Sequence, residues 1–204
     1  MNINIETFNN WAALDKDKSM EKGHYSSVDR MFEILEKETR ILKSNFSFID
    51  IGCGNGWVIR KVLKNPYCNY ALGIDGAENM IKKALNYKIG YFIKKDIEKY
   101  KFEKKFDIIF SMETLYYLND IDKFIKNLYN NGVKSGGSII IGIDHYKENI
   151  STLTWEKEYN LQTNTLSINE WYKKLSKYKF SKIKIYQYGQ KKGWEGTLIL
   201  HAQK

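Results

Sequence analysis

The decapeptide Phe48-Ile49-Asp50-Ile51-Gly52-Cys53-Gly54-Asn55-Gly56-Trp57 (FIDIGCGNGW) is typical of a strand that runs into a glycine loop and then a helix. Its first residues belong to a short apolar run, Phe46 to Ile51, which predicts a buried strand. A helical pattern, Val58 to Leu63, begins directly after the loop. Because glycine has no Cβ, the loop can turn tightly and approach a ligand with its backbone. In an α/β sheet that ligand lies at the carboxyl ends of the strands, near a helix N-terminus.

Strand-like and helical patterns alternate along most of the chain. After Phe46–Ile51, four more runs predict strands: Tyr70–Ile74, Tyr91–Ile93, Phe106–Phe110 and Ser138–Ile143. Apolar spacing predicts helices at Ser27–Leu42, Val58–Leu63, Ala77–Asn86, Ile121–Tyr129 and Ile168–Leu175. Strands that alternate with helices form βαβ units and a parallel sheet.

The end of the chain breaks this alternation. Two strand-like runs, Ile183–Tyr188 and Gly196–Ala202, are joined by a short polar segment. A parallel pair would need a crossover of about a dozen residues, so these runs predict an antiparallel hairpin. We therefore expect one three-layer, Rossmann-like α/β domain, with a mostly parallel seven-stranded sheet and a C-terminal antiparallel hairpin.

Length and composition are those of one globular domain. The chain has 204 residues, of which 43% are hydrophobic, enough for a packed core. No stretch approaches the ~18 apolar residues of a membrane span, and no signal-peptide pattern begins the chain. Cys53 and Cys68 form neither a metal-type spacing nor a disulfide framework. We expect a cytoplasmic protein without a metal site or a membrane partner.

The net charge of +9 is concentrated at one end. Residues 171–204 hold nine lysines and one acidic residue, Glu195. Such a segment can attract nucleic acid through its phosphates. The interpretation we favour is a solvated lysine-rich face, since net charge determines solubility and non-specific binding rather than function.

The glycine loop indicates which nucleotide binds. A dinucleotide fold requires G-x-G-x-x-G, whereas this loop reads G-x-G-x-G and is followed by Trp57. Asp50, directly before the loop, would repel a pyrophosphate but suits a ligand with an ammonium or sulfonium cation, and S-adenosylmethionine carries both. An Asp50 that only braces the loop is compatible with the same ligand.

Two further acids follow predicted strands. Asp75 lies about 20 residues after the loop, where a carboxylate can accept hydrogen bonds from the ribose hydroxyls. The alternative is an N-cap for the helix that begins near Ala77. Asp96 ends the next strand and can accept from the adenine amino group, or it is a solvated turn residue.

Five segments, in this order and spacing, resemble the motifs of class I S-adenosylmethionine-dependent methyltransferases: 48–57 (FIDIGCGNGW), 73–80 (GIDGAENM), 95–96 (KD), 106–118 (FDIIFSMETLYYL) and 134–141 (KSGGSIII). The resemblance implies S-adenosylmethionine as cofactor and S-adenosylhomocysteine as product. It implies these cofactor-binding residues: Asp50, Gly52, Cys53, Gly54, Gly56, Trp57, Asp75, Gly76, Met80, Asp96, Ile97, Ser111 and Met112. One departure is Gly76-Ala77, where many relatives have a hydroxyl residue.

The resemblance also divides the chain. Residues 46–145 form the cofactor-binding core, 1–45 a lid with the first helix, 146–170 a substrate cover, and 171–204 the terminal helix and hairpin. A lid places Trp11 and Tyr25 against the cofactor, and His24 near its methionine end. We expect the acceptor to contact His24, Tyr117, Tyr146 and Trp155, although ordinary peripheral packing explains these aromatics equally well.

Methyl transfer from a sulfonium is an in-line displacement with an activated leaving group. The protein mainly has to align the reactants and exclude water, and a base is needed only if the acceptor must lose a proton. His145 is the candidate base, since a free histidine has a pKa of about 6.5. Glu113 is a candidate to orient a base or bind a cationic acceptor, and Tyr116 to line the pocket. Each has a structural alternative as a surface or packing residue.

The sequence thus favours a methyltransferase with a small-molecule acceptor, as a monomer or homodimer. One alternative is an RNA (tRNA) methyltransferase that uses the basic segment 171–204. Another is a cofactor-binding subunit without turnover. A dehydrogenase is disfavoured by Asp50 and by the spacing of the glycines.

Overall fold

The computed structural model describes residues 2–204 as a seven-stranded sheet flanked by helices. The strands are β1 (Phe46–Ile51), β2 (Cys68–Asp75), β3 (Tyr91–Lys94), β4 (Phe106–Met112), β5 (Val133–Ile143), β6 (Ser181–Tyr188) and β7 (Thr197–Gln203). The helices are α1 (Ile3–Ala13), α2 (Lys16–Glu38), α3 (Trp57–Val62), α4 (Glu78–Asn86), α5 (Ile121–Asn127), α6 (Trp155–Tyr159) and α7 (Ile168–Lys177). Every helix within these residues is too short or too polar to cross a lipid bilayer.

The sheet has the order β3-β2-β1-β4-β5-β7-β6. Strands β1 to β5 pair in parallel, and β7 inserts antiparallel between β5 and the edge strand β6. This arrangement confirms the predicted fold, including the C-terminal hairpin. The strand order reverses direction at β1 and β4, which is where α/β sheets bind ligands beyond the strand ends.

Alternate residues of β1 face opposite layers of helices, as the period of two in a strand requires. Phe48 packs with the α2 residues Met31 and Leu35 on one face of the sheet. Ile49 belongs to the cluster on the other face, which contains Trp171 of α7. All six residues of β1 are buried, so the strand that precedes the glycine loop lies at the centre of the fold.

The N-terminal region differs from the prediction. Helix α1 was not expected, and α2 begins at Lys16 rather than Ser27 and ends at Glu38. The segment from Lys16 to Ser26 has charged and polar helix formers but no apolar stripe, so its sequence gives little periodic signal. Only the second half of α2 packs on the sheet.

The edge strand β6 is irregular and basic. Its pairing with β7 shifts register between Ser181 and Lys184. Lys182, inside this shift, has a left-handed backbone with φ of 49°. Lys182 and Lys184 are both exposed.

Candidate functional site

A pocket opens at the carboxyl ends of β1, β2 and β4, beneath helices α1 and α2. Its lining combines the glycine loop, the ends of the strands and the N-terminal helices. The predicted cofactor residues that line it are Asp50, Gly52, Cys53, Gly54, Trp57, Asp75, Gly76, Met80, Asp96, Ile97 and Met112. His24, Glu113 and Tyr117 line it as well.

Gly52 shows why the loop needs glycine. Its φ is +80°, and a Cβ at this position would overlap the Thr114 side chain. The N–H groups of Gly52 and Cys53 both donate to the Ile74 carbonyl, at 2.8 and 3.0 Å. The loop is therefore held against β2 by its backbone, while the position of a Cβ on Gly54 is nearly open, with Met80 Sδ 3.9 Å away.

Asp75 lines the pocket, where its role toward the ribose hydroxyls stays a prediction, and the N-cap of α4 is Ala77 rather than Asp75. Its Oδ2 accepts from the Gly54 N–H at 2.9 Å, and its Oδ1 accepts from the Ala77 N–H at 2.8 Å, next to the start of α4. Burial raises the pKa of Asp75, while the N–H groups of Ala77, Gly54 and Gly76 act in the opposite direction. The carboxylate lines the pocket and braces its walls at the same time.

Asp50 is only 2% exposed. No residue from 2 to 204 donates a hydrogen bond to its side chain. Burial, and then repulsion from Asp75, raises the pKa of Asp50 well above its usual value. Within residues 2–204, none of the residues that line the pocket is Lys or Arg. A cationic ligand would therefore stabilise Asp50 in its charged form.

Asp96 and Ile97 close the pocket beyond β3. Asp96 Oδ1 accepts from the Glu98 N–H at 3.1 Å, and Lys99 Nζ lies 3.4 Å from its Oδ2. The position is that expected for an acid at the adenine end, and the turn hydrogen bond of the alternative is also present.

A second cluster lies at the other end of the pocket. His24 of α2, Glu113 after β4 and Asp144 after β5 each place a potential ligand atom within 4.8 Å of the other two. His24 Nε2 is 3.6 Å from Asp144 Oδ2. Glu113 Oε1 accepts from the Asp144 N–H, and Glu113 has an unusual left-handed φ of 55°. His24 and Glu113 were expected at the site, and Asp144 follows β5, where the acceptor was expected to lie.

Burial shifts the pKa of all three groups. It raises the pKa of Glu113 well above its usual value, with repulsion from Asp144 as the second cause. It raises the pKa of Asp144 despite the attraction of His24. It lowers the pKa of His24, although Asp144 and the Met20 backbone oppose this. The neutral form of His24 is thus favoured, so its ring can accept a proton.

Tyr116 supports Glu113 from behind. Its hydroxyl lies 2.7 Å from Glu113 Oε2 and 2.8 Å from the Tyr117 hydroxyl, so the three side chains form one hydrogen-bonded chain. Tyr116 is fully buried, whereas Tyr117 lines the pocket. The structure therefore places Tyr116 behind the pocket wall rather than on it.

Asn4 joins α1 to the far side of the pocket. Its Nδ2 donates to the Gln162 carbonyl at 2.8 Å and to the Tyr117 carbonyl at 3.3 Å. Its Oδ1 accepts from the Gln162 N–H at 2.8 Å. Lys83 of α4 holds the start of α2 through Asp17, at 2.5 Å. Residues of α1 and of the first half of α2 thus line the pocket, and their action as a lid stays a prediction.

The structure does not bring His145 to the pocket. Its Nδ1 lies 3.0 Å from the Thr152 carbonyl, and its Nε2 lies 2.8 Å from Thr165 Oγ1 and 3.0 Å from Thr163 Oγ1. The ring is buried and both nitrogens are engaged. His145 instead anchors the segment that follows β5, and His24 is the histidine that lines the pocket.

Several other expected residues also lie outside the lining. Ser111 Oγ donates to the Ile51 carbonyl inside the sheet, at 2.9 Å. The Tyr146 hydroxyl donates to the Gly196 carbonyl, at 3.0 Å. Trp155 stacks near His145, with ring centroids 6.1 Å apart. These side chains, together with Gly56, Trp11 and Tyr25, are absent from the pocket lining within residues 2–204.

Trp11 and Tyr25 pack elsewhere. Trp11 contacts Phe8 and Tyr159 edge to face. Tyr25 is exposed and stacks on Trp57.

Sequence analysis missed lining residues in four places: α1 and its cap (Asn2, Asn4, Ile5, Phe8), α2 (Asp17, Met20, Glu21), the first loop and α3 (Asn55, Val58), and the turn after β4 (Thr114, Leu118). The α1 signal was available, since Asn2 is a favoured N-cap residue and its side chain accepts from the Asn4 and Ile5 N–H groups.

Comparison with known proteins identifies the family. A profile described as a methyltransferase domain matches residues 42–193, well over half of the chain. A malonyl-[acyl-carrier protein] O-methyltransferase of Ilyobacter polytropus is 31% identical over 150 residues, which cover 67% of this chain and 55% of that protein. The chain spans about half the length of the curated relatives it matches.

Solved structures share the fold. A methyltransferase of Haloferax volcanii, in complex with the Trm112 methyltransferase activator, has a TM-score of 0.79 at 20% identity and 96% coverage of both chains. The N-methyltransferase NodS of Bradyrhizobium japonicum, in complex with S-adenosylhomocysteine, has a TM-score of 0.63 at 19% identity and 86% coverage of both chains. Profile, fold and motifs agree: the chain belongs to the methyltransferase-domain family, among the class I S-adenosylmethionine-dependent methyltransferases, as its motifs led us to expect.

Proposed function

We propose that this chain binds S-adenosylmethionine in the pocket and transfers its methyl group to a small-molecule acceptor. The observation that carries the proposal is the presence of two carboxylates, the buried Asp50 and the half-buried Asp75, in a pocket whose described lining has no Lys or Arg. A dinucleotide pyrophosphate would face repulsion from both acids. A ligand with ammonium, sulfonium and ribose hydroxyl groups would be stabilised by them.

The residues present fit this cofactor. Asp75 retains lone pairs for ribose hydroxyls, since each of its oxygens accepts only one backbone hydrogen bond. Asp50 has the charge for the ammonium, and Asp96 with Ile97 forms an adenine end. When bound, the cofactor supplies a methyl group on a sulfonium sulfur, which is an activated leaving group.

The position of the N-terminal helices over the pocket supports a small acceptor. Asn4 links α1 to the turn after β4 and to Gln162, so the N-terminal helices roof the pocket. Phe8 and Tyr117 meet edge to face at its wall, with ring centroids 5.2 Å apart. Such a roof excludes water from the reacting groups, as methyl transfer requires. A bulky macromolecular acceptor would have to displace α1.

His24 takes the role first expected of His145. It lies in the pocket wall, its ring is mainly neutral, and Asp144 is close enough to stabilise the protonated ring. Glu113 contributes charge at the same end, and Tyr116 positions Glu113. The acceptors named for the relatives, a malonyl-carrier thioester among them, do not follow for this chain, because it spans only about half of those proteins.

Calorimetric titration tests the proposal. We expect S-adenosylhomocysteine to bind with a Kd in the micromolar range and NAD⁺ to give no heat. Asp75→Ala should weaken S-adenosylhomocysteine at least tenfold. NAD⁺ binding, or no binding of either ligand to the folded protein, would refute the proposal.

A further inference from the structure

Glu113, which lines the pocket, and Asp144, which is not among its lining residues, form one cluster with His24. Asp144 is buried and Glu113 is half-buried, and within residues 2–204 neither forms an ion pair with Lys or Arg. Two acids nearer the mouth are different, since Asp17 pairs with Lys83 and Glu21 lies 3.8 Å from Arg60. In a chain of net charge +9, the absence of a basic partner at this position is specific to the site.

Asp144 provides a second, independent observation. The residue is 5% exposed, and its Oδ1 is buried without a hydrogen-bond partner among the described residues. Its Oδ2 is 3.6 Å from His24 Nε2, which is too long for a hydrogen bond. A buried acceptor without a donor destabilises the folded protein. The Thr197 hydroxyl is a neighbouring donor that opposes the rise in the pKa of Asp144, but it also lies 2.7 Å from Ser27 Oγ.

We propose that His24, Glu113 and Asp144 bind the ammonium group of a small amine, and that this amine is the methyl acceptor. The inference rests on the proposed function and names its substrate class. An ammonium brings three donors and a positive charge, which suit two carboxylates and an Asp144 Oδ1 without a partner among the described residues. Phe8 and Tyr117 supply an apolar wall beside it for the body of the amine.

An ammonium and a metal ion require different spacings of the three side chains. Hydrogen bonds of about 2.8 Å from one tetrahedral nitrogen hold their acceptors roughly 4.6 Å apart. Bonds of about 2.0 Å to a tetrahedral zinc would require ligand atoms roughly 3.3 Å apart. The three ligand atoms lie within 4.8 Å of one another, and the His24–Asp144 pair is at 3.6 Å. The outer limit of 4.8 Å matches the ammonium spacing, whereas the His24–Asp144 pair, which is nearer to the zinc spacing, must open by about 1 Å to hold an ammonium.

The same residues prepare the amine for methylation. The acceptor nitrogen must lose one proton to expose its lone pair. The N–H bond breaks, its electron pair stays on nitrogen, and the proton moves to His24 Nε2, which becomes an imidazolium next to Asp144. After release of the product this proton passes to water. A carboxylate or phosphate acceptor, by contrast, would meet the repulsion of Glu113 and Asp144.

The test compares three probes of one shape, 2-phenylethylamine, 2-phenylethanol and phenylacetate, on protein saturated with S-adenosylhomocysteine. Their binding is followed by ligand-observed NMR. We expect the amine to bind at least tenfold more tightly than the alcohol, and the carboxylate to bind most weakly. Asp144→Asn and Glu113→Gln should each weaken the amine at least fivefold and leave the alcohol unchanged. Glu103→Gln, which removes one exposed carboxylate elsewhere, is the matched control and should change neither.

The order of measurement separates the two proposals. If S-adenosylhomocysteine does not bind, the proposed function fails before any probe is added. If it binds and the amine shows no preference over the alcohol, only the amine inference fails. Stoichiometric binding of Mn²⁺ or Zn²⁺ that Asp144→Asn abolishes would also overturn the inference, because it would make the cluster a metal site. The use of two variants keeps the test decisive if one of them fails to fold.

Discussion

The backbone N–H of Gly54 donates a 2.9 Å hydrogen bond to Oδ2 of Asp75, so the acid that lines the pocket also holds the glycine loop. The second oxygen of Asp75 accepts from Ala77 at 2.8 Å. The loop and the start of α4 are thereby fixed relative to each other before a ligand arrives. Such preorganisation lowers the cost of ordering the site on binding.

Replacing Asp75 by Asn should therefore weaken S-adenosylhomocysteine binding. The amide keeps one acceptor oxygen but turns N–H groups toward the Gly54 N–H or the ligand. Hydrogen bonds to charged groups contribute about 1.5–3 kcal/mol, so we expect a loss of roughly 10- to 100-fold in Kd by calorimetry. Asp29→Asn, whose carboxylate pairs with Lys61 outside the pocket, is the control. Unchanged binding by the Asp75 variant would contradict its ligand role.

Gly52→Ala and Gly136→Ala form a matched pair. Their φ angles are +80° and +76°, so both variants carry the same left-handed strain of about 1–2 kcal/mol. At Gly136 a Cβ meets nothing within 4 Å, whereas at Gly52 it overlaps Thr114. Overpacking of this kind costs about a further 1–3 kcal/mol. Urea unfolding should show the larger loss for Gly52→Ala, and equal losses would contradict the packing role.

Asp144→Asn should stabilise the ligand-free protein. The wild-type carboxylate is buried with an unpartnered Oδ1, and burial raises its pKa. Since the unfolded chain loses this proton near an ordinary pKa of about 3.9, the charge destabilises the fold at neutral pH and not at acidic pH. We expect the variant to gain about 1 kcal/mol in free energy of unfolding, or roughly 2–4 °C in Tm, at pH 7.5. This gain should shrink as the pH falls.

Asp107→Asn should change Tm in the opposite direction. That carboxylate accepts hydrogen bonds from the Ser47 backbone and hydroxyl, at 2.8 and 2.7 Å, and pairs with Lys134 at 2.7 Å. Its replacement should lower Tm. If both variants lowered Tm equally, the negative charge of Asp144 would have to be compensated in the folded protein, contrary to the prediction.

His201 should make stability depend on pH. Burial lowers its pKa to about 4, against the attraction of Glu38, and its Nδ1 is buried without a partner among the described residues. The unfolded histidine protonates near pH 6.5, before the folded one does. Above pH 6.5 this histidine therefore does not reduce the free energy of unfolding. As the pH falls toward 4, the free energy of unfolding falls by up to about 3 kcal/mol. In urea unfolding from pH 7.5 to 4.5, the difference between wild type and His201→Gln should follow this curve; parallel curves would contradict it.

The sequence predicted the parts of the site that are local in the chain. Asp50, the glycines and Asp75 each lie directly after a strand, and a parallel sheet brings strand ends together at one edge. Most strands were correct within a few residues because they carry a short apolar run, whereas β5 begins at Val133 rather than at Ser138. The family and the fold follow from this local information.

The histidines show what local information misses. His145 and His24 looked alike in the sequence, since each has a polar neighbourhood with an aromatic next to it. Their environments depend on distant segments: Thr163 and Thr165 engage His145, and the early start of α2 brings His24 over the pocket. Neither contact has a periodic signal, so the sequence pointed to His145, which lies outside the pocket lining, rather than to His24, which lines it.

The irregular edge strand β6 opposes aggregation between copies of the chain. An edge strand exposes unpaired N–H and C=O groups, a template on which a second chain can add its own strand and start an aggregate. The register shift at Ser181–Lys184 bends this template, and the exposed Lys182 and Lys184 set like charges against each other when two copies approach. Part of the basic charge of residues 171–204 thus protects colloidal stability, a purpose that requires no nucleic acid.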